Sequence, residues 1–249
     1  MENGFSRALI ILGVVLALGL GASAFILGGK FRTIGDNNQK ILVKGLAETL
    51  VSADLAEWSV GVRVQADTFS ETLAQLRKAR PALDEFLEKQ GFASAVRMEG
   101  SEQVTPNFVE EQDGNGRYRR VQAGYVGRQG IRVRSDDLQK IAAAHREIIQ
   151  LVAEGKSVEY GAPDYLIQDM ESVKMSLIGA ATENARLRAE EFAKVGKVKV
   201  GPMRSASQGA FYILPADSDA DSDDYGGAYD KTTIAKKARV VVTILYGIE

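Results

Sequence analysis

The residues with the clearest capacity for chemistry form an acidic run near the C-terminus. Counting from Asp219, oxygen ligands recur at the first, third, fifth and twelfth positions, which is the spacing of a calcium loop. These ligands are Asp219, Asp221, Asp223 and Asp230. An EF-hand loop also needs Gly at its sixth position and Glu at its twelfth, where this chain has Asp224 and Asp230. Two interpretations stay open, a weak calcium site or a solvated acidic loop over residues 215–230.

The chain offers few groups for catalysis. It contains no Cys and one His, which excludes thiol chemistry, thiolate metal sites and any motif with two His ligands. His145 shares an apolar helical stripe with Ile141 and Ile148, which is the setting of a structural histidine. The sequence has no phosphate-binding loop, nucleophile elbow or zinc-protease motif. We therefore predict no catalytic residues and no cofactor, with an enzyme built on paired carboxylates as an alternative.

Arginines crowd the long strand that the pattern predicts over residues 117–134. Alternation along this strand puts one set of them on a single face: Arg120, Arg128, Arg132 and Arg134. Such a face is either solvated and paired with cross-strand carboxylates, or it binds anionic lipid or the acidic segment 217–224 of a neighbouring subunit. The net charge of -2 and the lack of interleaved aromatic residues argue against nucleic acid as a partner.

An uncharged apolar segment occupies residues 8–29. At a rise of about 1.5 Å per residue, it would form a helix of about 33 Å, long enough to cross a hydrocarbon core of about 30 Å. We therefore predict a transmembrane signal anchor over 8–29, preceded by a tail over 1–7 and followed by a linker over 30–39. The tripeptide Ala-Ser-Ala at 22–24 resembles a signal-peptidase site, so a cleaved signal peptide is the alternative. Positive charge flanks both ends, which leaves the topology open.

Small residues recur within this apolar segment at helical spacing: Gly13, Ala17, Gly21, Ala24 and Gly28. A stripe of this kind lets two helices approach closely in lipid, although Gly and Ala are also common in membrane helices in general. The stripe is therefore a candidate surface through which two copies of the chain would associate.

Residues 40–249 alternate between strand and helix patterns. Between residues 54 and 167 the predicted order is β-α-β-β-α-β, the split arrangement of ferredoxin-like folds. The first helix of this unit opens with a capping box formed by Thr68 and Glu71. An extra first strand, a long helix over 169–195 and two C-terminal strands extend the unit. The sequence thus predicts an α+β fold with an antiparallel or mixed sheet, as one elaborated domain that follows the transmembrane helix.

Two helices carry local predictions of their own. Ser135 is expected to cap a helix that ends at Gly155. In the long helix, one set of residues is expected to face the core: Val173, Leu177, Ala181, Ala185 and Phe192.

Short motifs spread over residues 40–246 resemble those of the SIMPL domain family. They are Gly45-Leu-Ala47 with Asp54-Leu-Ala56, the aromatic strand that begins at Tyr125 with the acidic helix start Asp136-Asp137-Leu138, and the Ala-rich helix over 180–193 followed by the strand that begins at Ala238. The chain departs from the family pattern at Ala53, where many members have Pro. Its Asp-rich loop is also unusually acidic.

The resemblance implies a bacterial envelope protein with an α+β fold that lies outside the cytoplasm. Some members form ring- or channel-like assemblies, others are linked to stress tolerance, and the family supplies no catalytic residues. We therefore expect a single-pass protein of the inner membrane, anchored through residues 8–29, whose periplasmic domain self-assembles into a homo-oligomer or binds a protein partner. A small-ligand or calcium-responsive binding protein in the same compartment is the alternative.

Overall fold

The computed structural model of the chain describes residues 13, 15–24, 39–112, 114, 116–218 and 228–249. The chain divides into two compact units whose segments interleave along the sequence. The first unit comprises Met1–Glu48, Lys174–Phe211 and Arg239–Glu249, and the second comprises Thr49–Val173 and Tyr212–Ala238. The domain boundaries expected at residues 8, 30 and 40 stay a prediction.

From residue 39 onward the chain is α+β with antiparallel sheets, in agreement with the predicted class. Its elements are β1 (Lys40–Ser52), β2 (Leu55–Ala66), α1 (Phe69–Lys89), β3 (Arg97–Glu99), β4 (Gln103–Gln112), β5 (Tyr118–Ser135), α2 (Leu138–Glu147), α3 (Ile149–Ala153), β6 (Val158–Tyr160), β7 (Asp164–Leu166), α4 (Met170–Gly196), β8 (Val200–Pro215) and β9 (Ala235–Ile248). A short 3-10 turn, Ser94–Val96, precedes β3.

The transmembrane helix predicted over residues 8–29 is contradicted. Among the residues that the structure describes, no helix is both long and apolar enough to cross a membrane. The helical residues described in this segment are 13 and 15–24.

The second unit is organised around β2 and β5. These strands pair antiparallel from Ala56 opposite Ser135 to Ala66 opposite Tyr125. β3 and then β4 pair along the other edge of β5, and β6 and β7 pair along the other edge of β2. The central order β3-β5-β2-β6 is the one produced by two split crossovers, which place their helices on one face of the sheet. Two strands, the short β3 and the longer β4, follow α1 here.

One face of this sheet carries the core of the second unit. Alternate residues of β2 point into it, and helices α1 and α2 cover it with their apolar stripes. The fully buried members include Trp58, Val62, Leu76, Leu83, Leu87, Ile131, Ile141 and Ile148. Burial of each such side chain contributes about 1.5–3 kcal/mol. The opposite face of the same sheet stays exposed.

The helix starts differ in how well local sequence predicts them. The hydroxyl of Thr68 accepts a hydrogen bond from Glu71 N at 3.2 Å, which confirms the predicted cap of α1. Ser135 does not cap α2, because its hydroxyl accepts from Asp137 N at 3.1 Å, one residue before the helix begins at Leu138. Asp137 is the cap instead, and its Oδ1 accepts from Lys140 N at 3.0 Å. The single helix that was expected to end at Gly155 is instead two helices, α2 and α3.

In the first unit, α4 buries a stripe of small side chains. The buried residues are Leu177, Ala181, Ala185, Ala189 and Ala193. Phe192, which the sequence predicts to face inward, is instead 63% exposed. The buried positions advance by four residues, so the stripe drifts around the helix and Ala193 takes the inward place at the C-terminal end. The sheet of order β1-β9-β8 has β9 at its centre.

Candidate functional site

Four arginines lie on the exposed face of the second unit's sheet. Arg63 lies on β2, and Arg128, Arg132 and Arg134 lie on β5. The register places Arg63 directly opposite Arg128 and places Arg132 opposite Ser59. All four are exposed. We call this surface the arginine face.

A row of glycines crosses the arginine face between its arginines. Gly61 of β2 lies opposite Gly130 of β5, and Gly100, just after β3, donates from its N–H to the carbonyl of Gly130 at 2.9 Å. Gly130 and Gly100 are exposed and leave bare backbone at the surface, whereas Gly61 is buried. A groove of about 330 Å³ is lined by Gly100 and Gly130 and, in part, by Ser59, Met98 and Arg132.

The arginines of this face are only partly neutralised. Arg128 forms an ion pair with Glu159 at 3.7 Å, and Arg134 forms one with Glu57 at 3.2 Å. Within the described part of the chain, Arg63 and Arg132 form no ion pair. Arginines placed directly opposite each other, as Arg63 and Arg128 are, repel. The face therefore has an excess of positive charge that a carboxylate ligand would reduce.

Arg120 does not belong to the arginine face, although the predicted alternation put it there. A register shift occurs between Pro106 and Phe108 of β4, where β5 contains an extra residue near Gly124. The shift reverses the alternation, so Arg120 shares the face of Tyr125. Its guanidinium lies over the ring of Phe108 at 4.5 Å. A backbone φ of +75° at Gly124 favours glycine at this irregularity.

Sequence reasoning missed Arg63 and the glycine row as parts of one surface. Alternation along β2 puts Arg63 and Gly61 on the face opposite the core residues Trp58 and Val62. The sequence did not predict the pairing of β2 with β5. The paired residues are more than 60 positions apart in the chain, and such contacts leave no local signal in the sequence.

A family model matches residues 41–244 of the chain. Its description is SIMPL, protein of unknown function (DUF541). The chain belongs to the SIMPL family. This confirms the resemblance seen in the sequence. No curated protein matches the chain.

The residues that carry the SIMPL resemblance perform structural tasks here. An added Cβ on Gly45 would lie 2.8 Å from the Cβ of Ala185, so this position admits only glycine beside α4. Asp54 accepts a hydrogen bond at Oδ1 from Gln168 N at 2.8 Å. Ala56 is fully buried in the core. Asp137 caps α2. Gly45, Asp54, Ala56 and Asp137 of these SIMPL motifs therefore serve the fold of this chain.

The calcium ligands proposed from the sequence lie mostly outside the described residues, which include Asp230 but not Asp219, Asp221 or Asp223. Both oxygens of Asp230 are engaged within the chain. Oδ1 accepts from Thr232 N at 2.8 Å, and Oδ2 accepts from the Thr233 hydroxyl and from Lys236 Nζ, the latter at 3.1 Å. No group of His, Cys, Asp or Glu in the described part of the chain could hold a metal ion. Calcium binding by this loop stays a prediction.

Lys236 and Asp230 form a buried ion pair. The side chain of Lys236 is 0% exposed and that of Asp230 is 8% exposed. Lys236 Nζ also donates to the Asp230 carbonyl at 2.6 Å. Burial opposes ionisation of Asp230, but hydrogen bonds from Thr233, Thr232 and Lys236 outweigh it and hold the pKa of this carboxyl well below its usual range.

Acid should remove the stability that Asp230 contributes. Because the folded pKa of Asp230 is lowered, its contribution is fully present above the unfolded pKa of about 4 and is lost as the pH falls toward the folded pKa. We expect the stability difference between wild type and Asp230→Asn to shrink between about pH 5 and about pH 2. Urea unfolding of both proteins across this range measures it. A difference that stays constant would refute the assignment.

His145 lies in an aromatic cluster. Its ring contacts the edge of Trp58 with centroids 6.0 Å apart, and it contacts Tyr160 at 5.8 Å. Trp58 is fully buried and donates from Nε1 to the carbonyl of Gly161 at 2.9 Å. These contacts are those of a packing residue.

The structure describes only part of the small-residue stripe. Gly13, Ala17, Gly21 and Ala24 are helical and exposed, whereas Gly28 lies outside the described residues. Association through this stripe stays a prediction.

Proposed function

We propose that this SIMPL protein is a binding module without catalytic activity, and that its arginine face holds an extended, carboxylate-rich segment of a protein partner. The observation that carries the proposal is the exposed backbone at Gly130 and Gly100, with Arg128 and Arg132 on either side of Gly130 along β5. A flat strip without side chains admits an extended polypeptide close to the sheet. The guanidinium groups on either side then reach the carboxylates of that polypeptide.

The chemistry of the flanking residues favours carboxylates. A guanidinium presents a planar fork of donors that matches the two oxygens of a carboxylate. Arg132 faces Ser59 on β2 and Met98 on β3, so neither neighbouring strand supplies an acidic partner at this position. Met98 is 60% exposed and offers an adaptable apolar contact beside the groove.

Charge reversal at Arg132 tests the proposal. The probe is a fluorescent peptide with the sequence of residues 215–226, and binding is followed by fluorescence anisotropy. We expect Arg132→Glu to weaken binding about tenfold, equivalent to about 1.4 kcal/mol, and high salt to weaken binding by the wild type. Arg146→Glu on α2 is the matched control and should bind as the wild type does. Equal binding of a peptide with Asn in place of Asp, or of a DNA oligonucleotide, would overturn the proposal.

Filling the groove tests the same proposal without a change of charge. A Cβ on Gly130 would have its nearest neighbour, the carbonyl oxygen of Val60, at 3.9 Å, so the fold accommodates a side chain there. We expect Gly130→Val to weaken peptide binding about tenfold while the thermal unfolding midpoint stays at or above that of the wild type. Undiminished binding by this variant would show that the groove is not the site.

We also propose that the domain works outside the cytoplasm, in the bacterial envelope, in a role linked to stress tolerance. The SIMPL resemblance supports this location, as does the Ala-Ser-Ala sequence at 22–24 that follows an apolar run. Mass spectrometry of the mature N-terminus, combined with cell fractionation, tests the location. A chain that begins at residue 25 in the periplasmic fraction is the expected result, and an intact N-terminus in the cytoplasmic fraction would contradict it.

A further inference from the structure

The far part of the β4–β5 hairpin continues past the end of β2. The last pair between β2 and β5 joins Ala66 to Tyr125. Beyond it, β4 and β5 pair only with each other within the described residues, from Phe108 opposite Gln122 to Gln112 opposite Tyr118. We call the paired residues of this two-stranded part, 108–112 and 118–122, the arm.

The arm leaves both of its strand edges open and much of its side-chain surface exposed. Phe108 is 45% exposed, Val109 is 38% exposed and Tyr118 is 71% exposed. An isolated two-stranded ribbon is only marginally stable in water, and its unpaired N–H and C=O groups are a template for another strand. An additional strand along an open edge would satisfy these groups and cover the apolar side chains.

The two edges of the arm carry opposite charges. Glu110 and Glu111 lie on β4, directly opposite Arg120 and Arg119 on β5. Neighbouring residues of a strand point to opposite faces, so each face of the arm has one glutamate on the β4 side and one arginine on the β5 side. The pair Arg119–Glu111, at 3.5 Å, is highly exposed.

We infer that the arm joins two copies of this chain, with the β4 edge of one arm pairing with the β5 edge of the other. In this arrangement each arginine of β5 has a glutamate on both sides, one from its own β4 and one from the neighbouring copy. Pairing of β5 with β5, or of β4 with β4, would set like charges against each other. The contact is therefore heterologous, and each copy uses a different edge toward each of two neighbours.

Charge swaps on the full-length chain test this pairing. Size-exclusion chromatography with light scattering should give a wild-type mass above that of one chain. We expect Glu110→Arg/Glu111→Arg, and separately Arg119→Glu/Arg120→Glu, to weaken self-association at least tenfold, because each variant has two edges of like charge. A monomeric wild type at the highest soluble concentration, or unchanged mass in both variants, would overturn the inference.

Mixing the two variants separates pairing between copies from damage within one arm. Each variant has repulsive pairs inside its own hairpin, but its edges complement those of the other variant. We expect the equimolar mixture to regain the wild-type mass, and a mixture that stays monomeric would overturn the inference. The fourfold swap that combines all these substitutions restores both internal and external pairs, so it should assemble as the wild type does.

The arm and the arginine face use different residues, so their tests are independent. Arg132→Glu should keep the wild-type mass while it loses peptide affinity, and the charge-swapped arm variants should keep peptide affinity. A failed peptide-binding test therefore leaves the test of self-association valid, and a failed test of self-association leaves the peptide-binding test valid.

Discussion

Gly45→Ala should destabilise the chain by about 3 kcal/mol, the upper end of the usual cost of overpacking. The added Cβ would overlap the backbone carbonyl oxygen of Ala181 and would lie 2.8 Å from both the N and the Cβ of Ala185. The atoms in its way belong to the backbone and Cβ of α4, which cannot rotate aside as a flexible side chain would.

Two hydrogen bonds keep α4 from retreating from the new methyl group. Asn184 Oδ1 accepts from Leu46 N at 3.1 Å, and Arg188 Nη1 donates to the carbonyl of Lys44 at 3.0 Å. These bonds flank Gly45, so movement of the helix would break them, at a cost in folding stability of about 0.5–1.5 kcal/mol for each bond. The strain therefore stays in the folded state.

Gly179→Ala provides the matched control for Gly45→Ala. Gly179 lies within the same helix, and an added Cβ would have nothing within 4 Å. Because alanine is the better helix former, we expect this variant to be more stable than the wild type by up to about 1 kcal/mol. Urea unfolding followed by circular dichroism measures both variants. A loss below about 1 kcal/mol at Gly45 would contradict the close packing described for it.

Asp230→Asn should destabilise the chain by about 3–5 kcal/mol, because removal of one partner leaves the other charge buried and unpaired. The ammonium group of Lys236 is fully buried, and the carboxylate of Asp230 is its acidic partner. Lys236→Met should be less harmful, since Asp230 keeps its hydrogen bonds from Thr232 and Thr233.

The double variant Asp230→Asn/Lys236→Met separates loss of the pair from loss of either charge. With both charges gone, an apolar side chain of similar length occupies the buried position. We expect its stability to recover to within about 1–2 kcal/mol of the wild type, which gives a coupling energy of at least about 1 kcal/mol. If the loss of stability in the double variant equals the sum of the losses in the two single variants, the two charges do not stabilise the chain as a pair.

Several elements could be predicted because their causes are local. The cap at Thr68 depends on a hydroxyl three residues before Glu71, and the alternation of β2 depends on its period of two. The α+β class follows from the succession of such patterns. The length of β4 was not predicted, since its polar residues form a strand only by pairing with β5.

Other predictions failed at Ser135 and Phe192. Ser135 has the right side chain for a cap, but it is the last residue of β5, paired with Ala56, and the helix begins two residues later than a cap at Ser135 requires. Phe192 is the most apolar residue of its helical turn, yet it is 63% exposed and Ala193 takes the buried position, because the buried stripe drifts around α4. In both cases the position along the folded element, and not the type of side chain, decides the outcome.

The sequence by itself determined the family, the α+β class and the lack of cysteine chemistry, because these depend on composition and on short-range patterns. Only the tertiary structure brought Arg63 opposite Arg128, aligned Gly61 with Gly130 and Gly100, and separated Arg120 from the arginine face. Strand register decides these relations, and a bulge of one residue near Gly124 is enough to move a side chain to the other face of a sheet.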